Sequence, residues 1–300
     1  MTVIELIVRC SARLTQAGVS FGHGTANAFD EAAWLVLWRL GHALDALDAV
    51  ADRRVSAADE AAVTTLLDQR IHTRKPAAYL TGEAWLQGLP FTVDERVIVP
   101  RSLIAEPLAD GSIDAWLGEH TRRVLDLCTG NGSLAVLAAL AWPEVQVDAA
   151  DLSADALAVA RLNIDRHGLA SRITLHPGDG LAAVAGQRYD LILCNPPYVN
   201  NQAMADLPAE YQAEPALALA GGADGMDFIR TMLRQAPACM TDQAVLVLEI
   251  GHEREHFEAA FPALAAIWLP TSAGDDQVLL LTRETLAAGW PAPPLPNPSR

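Results

Sequence analysis

The chain carries Asn195-Pro196-Pro197-Tyr198 at the end of the apolar run Tyr189 to Cys194. Those residue types suit one task, which is to grip a planar nitrogen and turn it toward an electrophile. An amide or exocyclic amino nitrogen delocalises its lone pair and is a poor nucleophile unless acceptors hold its hydrogens. The side-chain oxygen of Asn195 and the carbonyl of Pro196 are such acceptors, since proline lacks an N–H and fixes its backbone direction. Tyr198 adds a flat face for stacking. Taken alone, the tetrapeptide also reads as a strand ending in a Pro-Pro turn, with Tyr198 as ordinary packing.

A second constellation lies upstream. The sequence from Val124 to Leu127 is an apolar strand with Asp126 inside it, and Cys128-Thr129-Gly130-Asn131-Gly132 then turns into the Ala/Leu-rich stretch from Ser133. Glycines there let the backbone approach a ligand closely. Gly130, Gly132 and Ala135 fit the pattern G-x-G-x-x-G/A, and Asp151, followed by Leu152, ends a second strand where a carboxylate can hold ribose hydroxyls. A nicotinamide-dependent dehydrogenase therefore stays open on the glycines alone. Asp126, four residues before the first glycine, suits an aminoacyl end better than a pyrophosphate. Gly178-Asp179-Gly180 follows a third strand and places another carboxylate at the adenine end. In this order the glycine turn, ribose acid, second acid and Asn-Pro-Pro-Tyr resemble the amino-methylating class I methyltransferases, and the resemblance implies S-adenosylmethionine as cofactor.

These residues need elements to hold them. From Arg122 onward, strands expected at 124–128, 145–150, 173–176, 189–194 and 244–250 alternate with helices, which predicts an α/β fold with a parallel, doubly wound sheet and its ligand at the strands' carboxyl ends. Segments 266–269 and 277–282, joined by a loop containing Gly274-Asp275-Asp276, should pair antiparallel. Upstream, Val3, Leu6, Ile7, Cys10 and Leu14 recur at helical spacing, as do Trp34 to Leu44, and a third run from Ala61 to Ile71 should stop before Pro76. Ala84-Trp85-Leu86 and Phe91-Thr92-Val93 read as a β-hairpin. The expected organisation is a helical substrate-recognition domain over 1–80, a hairpin linker over 81–105, a catalytic domain over 106–286 and a Pro-rich tail without regular structure over 287–300. His252-Glu253-Arg254-Glu255-His256 matches H-E-x-x-H, the spacing of a zinc site. It directly follows a strand, no further histidine lies downstream, and an exposed helix start explains it, so no metal is expected.

Composition narrows the class. Three hundred residues suffice for one full α/β domain and a smaller one. The four cysteines, Cys10, Cys128, Cys194 and Cys239, show no paired spacing, the N-terminus has no signal-peptide pattern, and no apolar run approaches the length of a membrane span, which together predict a reduced, cytoplasmic protein. The net charge is −16, and residues 1–80 hold 8 basic and 9 acidic side chains, so most of the excess falls on the remainder. Lys75 is the only lysine, whereas sequence-independent binding to nucleic acid needs clustered cations. A basic protein is the easier partner.

A longer string sharpens the resemblance. Arg74-Lys75-Pro76, Tyr79, Thr81-Gly82, Trp85, Gly88, Phe91, Val93 to Val97 and Val99-Pro100-Arg101-Ser102, taken with Asn195 to Tyr198, are similar to the bacterial protein-glutamine methyltransferases. The similarity covers about residues 1–285. One branch methylates a Gly-Gly-Gln loop of release factors and typically continues its Pro-Arg pair with Pro-Glu-Thr-Glu. Ser102-Leu103-Ile104-Ala105-Glu106 and Phe21-Gly22-His23-Gly24-Thr25 to Ala32 instead resemble the branch acting on ribosomal protein. That branch usually has proline where Leu103 stands. The resemblance implies methylation of a glutamine side-chain amide on the third protein of the large ribosomal subunit, free or in an assembly intermediate. It also implies that Asp126, Cys128, Thr129, Gly130, Asn131, Gly132, Asp151, Leu152, Asp179, Gly180 and Asn195 bind the cofactor, and that Asn195, Pro196, Pro197 and Tyr198 form the catalytic turn. A release-factor glutamine methyltransferase, an adenine amino-methyltransferase on DNA or RNA and a noncatalytic ribosome assembly factor remain as alternatives.

Overall fold

The computed structural model describes residues 1–289, so the expected tail lies outside the described residues apart from the last turn of a helix, Arg283–Ala288. The chain divides into two compact units, Met1–Arg101 with Asp206–Ala216, and Ser102–Ala205 with Leu217–Arg300.

The first unit is built on three helices, Val3–Ala17, Ala28–Arg39 and Ala57–Thr73, with shorter ones at Leu47–Val50 and Ala77–Thr81. Each long helix starts at a side-chain cap. Thr2 and Glu5 form a capping box, Asn27 accepts from the backbone of Phe29 and Asp30, and Ser56 accepts from that of Asp59. The first helix buries Val3, Leu6, Ile7, Cys10 and Leu14, the stripe its spacing predicts. The third ends at Arg74 before Pro76, and a further short turn, Ala77–Thr81, follows the proline, whose fixed φ suits a helix start. Strands β1 (Glu83–Leu86) and β2 (Leu89–Thr92) form the hairpin on a two-residue turn, with Gln87 and Gly88 both at positive φ.

A buried charge cluster stitches this unit together. Arg70 is 1% exposed, and its guanidinium donates to Glu31 at 2.8 Å, Glu210 at 3.0 Å and the Ser20 carbonyl at 2.9 Å. Glu214, equally buried, accepts both ends of Arg101 at 2.6 and 2.7 Å and the Val99 N–H at 2.9 Å. Two glutamates thus tie Asp206–Ala216, a segment remote in sequence, into the helical unit. Such pairs compensate a large desolvation cost, so removing one member leaves a buried, unpaired charge.

The second unit contains a seven-stranded sheet. Its strands are β3 (Arg123–Leu127), β4 (Gln146–Asp151), β5 (Ile173–Pro177), β6 (Tyr189–Cys194), β9 (Met240–Glu249), β10 (Ile267–Thr271) and β11 (Gly274–Thr282), while β7 (Val199–Asn200) and β8 (Ala220–Gly222) form a small parallel ladder. The order is β10-β11-β9-β6-β3-β4-β5, parallel except for β11, which is antiparallel to both β9 and β10. The sheet is the α/β arrangement expected, with the antiparallel closing strands. One local detail differs. The β10–β11 turn is Ser272-Ala273, and Gly274 to Asp276 already belong to β11, because Thr271 pairs with Gly274 and leaves a two-residue loop. Asp190 in β6 accepts from the backbone N–H groups of Arg122 and Arg123 and from the Thr241 hydroxyl, fastening the starts of β3 and β9.

Replacing Arg70 with Ala is expected to destabilise the helical unit by about 3–5 kcal/mol, read by urea unfolding. For Glu214, burial raises the carboxyl, but His23 and Arg101 outweigh it and bring it down to about 2. Being depressed from 4.5, this group contributes stability that is complete above about pH 4.5 and lost as the pH falls toward 2. Stability measured across that window should fall less steeply in Glu214→Gln than in the parent chain.

Candidate active site

The sheet changes winding direction between β3 and β6. β4 and β5 lie on one side and β9 on the other, so the carboxyl ends of β3 and β6 open onto one crevice. In register, Leu127 pairs with Cys194, which sets the turn after β3 beside the Asn195 turn after β6.

The turn after β3 is shaped by its own hydrogen bonds. Cys128 takes a left-handed φ of 61°, and Thr129 donates its N–H to the Ala150 carbonyl of β4 at 3.0 Å. Gly130 and Gly132 also have positive φ, and a Cβ on Gly132 would come within 3.1 Å of Ala160 on the helix Ala154–Arg166. Gly132 therefore serves close helix packing. A Cβ on Gly130 would meet nothing within 4 Å, so there glycine supplies conformation and leaves its surroundings open. Asn131 is buried, and its carbonyl accepts from the Asn163 amide at 2.9 Å.

Two carboxylates frame the turn. Asp126 is buried in β3, where one oxygen accepts from the Thr129 hydroxyl and the Ala135 N–H while Oδ1 has no partner among the described residues. Burial pushes this carboxyl up to about 7 in spite of those bonds. Asp151, at the end of β4, accepts from Gly130 N–H at 2.9 Å and Ser153 N–H at 2.8 Å, and its carbonyl takes the Gly178 N–H at 3.0 Å. Burial raises its carboxyl as well. Asp151 thereby joins the ends of β4 and β5 to the glycine turn. Leu152 is 56% exposed beside it. Asp179 is exposed, and Gly180 lies against the Phe228 ring, 3.5 Å from where a Cβ would stand. The Cys194 thiol, and then burial, raise the Cys128 thiol well above its usual range, which leaves no thiolate for nucleophilic work.

The tetrapeptide follows β6 directly. Asn195 is half-buried, and its amide makes no hydrogen bond to another described residue. Pro196 is buried and Pro197 half-buried. Tyr198 packs partly into the core and donates its hydroxyl to Glu249 at 3.2 Å. After it, β7 pairs with β8, and the glycines of the 221–225 loop give the backbone room: a Cβ on Gly221 or Gly225 would meet Tyr198 backbone atoms at 2.7 and 2.2 Å. Asp224 is an ion-pair partner of Arg230 and caps the Met226 N–H.

Sequence reasoning missed Glu249, Glu253 and Phe228. The H-E-x-x-H string stands at the start of the helix Arg254–Ala260 with His252, Glu255 and His256 exposed, but Glu253 itself is buried, and it accepts from the Asn200 amide at 2.7 Å and from His256. The string serves the loop after the tetrapeptide, and no group of metal-ligating side chains stands among the described residues. Its available signal was position, since it directly follows the β9 strand end. His23 is buried, with its Nε2 3.5 Å from Glu214 and its ring 4.2 Å from that of Tyr211.

The sequence matches the family model of the methyltransferase small domain over residues 113–247. It is 54% identical over 287 residues to the ribosomal protein uL3 glutamine methyltransferase of Bordetella pertussis, covering 95% of this chain and 96% of that protein. The chain belongs to the uL3 glutamine methyltransferase family. A second member, from Burkholderia pseudomallei, is 51% identical over 96% of each chain. Among solved structures, the hMettl16 catalytic domain in complex with MAT2A 3′UTR hairpin 6 is similar at a TM-score of 0.50 and 14% identity, over 76% of this chain and 84% of that one, which supports the fold. Membership makes the chain a methyltransferase that takes its methyl group from S-adenosylmethionine.

The crevice fits that donor. An open glycine turn, an unpartnered buried carboxylate oxygen on Asp126 and a strand-end carboxylate on Asp151 offer a cationic, hydroxyl-bearing molecule what it needs. Asp151→Asn keeps an acceptor for Gly130 but loses the charge. It is expected to raise the dissociation constant of S-adenosylmethionine about tenfold, roughly one charge-assisted hydrogen bond, by calorimetric titration.

Proposed function

We propose that this protein methylates the side-chain amide nitrogen of a glutamine in ribosomal protein uL3, and that the acceptor amide is held by Asn195 and Pro196 beside Tyr198. The observation that carries the site is the half-buried Asn195 amide, without a hydrogen-bond partner among the described residues, one strand away from the glycine turn. The substrate rests on relatives 45–54% identical over about 95% of the chain, each named for uL3.

When bound, S-adenosylmethionine supplies an electrophilic methyl group on a sulfonium centre. The chain's part is chiefly positioning. Asn195 Oδ1 and the Pro196 carbonyl accept the two amide hydrogens, which orients the nitrogen and favours charge build-up on it. Tyr198 holds the amide plane. Cys128 to Gly132, with Asp126, Asp151, Leu152, Asp179 and Gly180, bind the donor. No general base is assigned, because the amide nitrogen becomes strongly acidic once alkylated and releases its proton to water.

The helical unit is the natural selector of the protein substrate, since the tetrapeptide by itself suits any planar N–H group. Action in the cytoplasm, on free uL3 or an assembly intermediate, accords with a chain in which no described helix is long and apolar enough to cross a membrane.

Asn195→Ala is expected to lower methyl transfer to purified uL3 by at least about 100-fold, as removal of one preorganised polar group does elsewhere, while donor binding stays within about twofold. Labelled-donor assays with uL3 and release factor offered separately read this directly. Transfer to release factor alone would reject the uL3 assignment.

A further inference from the structure

Glu249 closes β9 and is 3% exposed, in a run where Val245, Leu246, Val247 and Leu248 are wholly apolar. A carboxylate at such a position carries a desolvation cost that packing alone does not call for. Its hydrogen-bond partners among the described residues belong to one chain of contacts. Its Oε2 accepts the Ser102 hydroxyl at 2.6 Å and the Leu103 N–H at 2.9 Å, and its Oε1 accepts the Tyr198 hydroxyl at 3.2 Å. Ser102 in turn accepts the Ile104 N–H at 3.3 Å.

The Tyr198 ring is confined from another direction as well. Gly251, two residues beyond Glu249, has a φ of 54°, and a Cβ there would stand 2.5 Å from Tyr198 Cε2. One side of the ring therefore packs tightly on the backbone just past β9, while its hydroxyl is held by the carboxylate at the strand's end. Gly221 and Gly225 pack as closely on the Tyr198 backbone. A ring restrained along its Cδ2–Cε2–Cζ side and at its hydroxyl has little freedom to rotate, and its plane is thereby set.

We propose that Glu249 is a positioning residue for the methyl acceptor: by accepting the Tyr198 hydroxyl, and being fixed itself by Ser102 and the Leu103 N–H, it sets the ring plane on which the glutamine amide rests. The inference depends on the reading of Tyr198 as the acceptor platform. It gives Ser102 a physical task at the acceptor site and assigns Gly251 to ring packing. Glu249 acts through Tyr198 and touches neither substrate nor donor, so its effect must vanish when the hydroxyl it holds is gone.

The test is a double-mutant cycle on the full chain, with Glu249→Met, Tyr198→Phe and both together, and Glu249→Gln as the variant that keeps an acceptor oxygen. Initial rates of transfer to purified uL3 give kcat and separate KM values for donor and acceptor, and thermal melting checks that each variant is folded. Each single change is expected to lower kcat about tenfold, the scale of a lost positioning contact, with donor KM within about twofold. The pair should be no slower than Tyr198→Phe alone, and Glu249→Gln should recover most of the rate. Losses that multiply in the pair, or a parental kcat in folded Glu249→Met, overturn the proposal. If Glu249→Met does not fold, Tyr198→Phe and Ser102→Ala decide instead, and parental kcat in both overturns it. Asn195→Ala, run alongside, separates the two levels: undiminished transfer there removes the acceptor-site reading itself, whereas its loss together with an unaffected Glu249→Met removes only the role of Glu249.

Discussion

Parallel pairing of β3 with β6 at the point where the sheet reverses its winding is the constraint on which the site depends. Side by side, the two strands deliver the glycine turn from one and Asn195 from the other to the same edge, with Leu127 opposite Cys194. Neither turn could be displaced without shifting the register of two largely buried strands, which would turn their apolar side chains out of place. The two turns are thus held together by the core.

Around that edge the chain repeatedly uses a buried or half-buried carboxylate to fasten a loop to a strand end. Asp126 holds the turn after β3, Asp151 joins it to β4, Glu249 holds Ser102 and Tyr198, and Glu253 holds Asn200. Asp126, Asp151 and Glu249 accept from backbone N–H or neutral side-chain donors, and Glu253 from the Asn200 amide and His256. Desolvation raises Asp126, Asp151 and Glu249, and the hydrogen bonds only partly offset it. These are costly groups for ordinary packing, and they concentrate where loops must be held without covering the crevice. The close glycines, 221, 225 and 251, complement them by letting backbone lie directly against the tetrapeptide.

The helical unit follows a different rule. Its stripes of Val, Leu and Ile were legible from spacing, and so were the hairpin and the stop before Pro76. Its charged core was not. Arg70 falls in step with Val63, Leu66 and Leu67 on the buried stripe of its helix, which is a signal in hindsight, but its partners Glu31 and Glu210 stand 39 and 140 residues away. Local pattern carries no trace of a pairing at that separation. The same limit hid the membership of Asp206–Ala216, which by sequence order alone falls within the catalytic stretch.

Sequence by itself determined the strands, the glycine turn, the carboxylate that ends β4 and the Asn-Pro-Pro-Tyr turn, because each rests on short-range rules: alternation of elements, the φ that only glycine adopts freely, and the N–H that proline lacks. Its longer string also carried the family resemblance. Tertiary structure alone decided which of the remaining polar residues serve the site. Glu249 reads as part of a plain apolar strand end and Glu253 as part of a zinc-like string until β9 is laid beside β6, when one meets the Tyr198 hydroxyl and the other the Asn200 amide. The physical reason is that a hydrogen bond is specified by distance in space, and the strand order that creates these distances is not written in any local stretch of the chain.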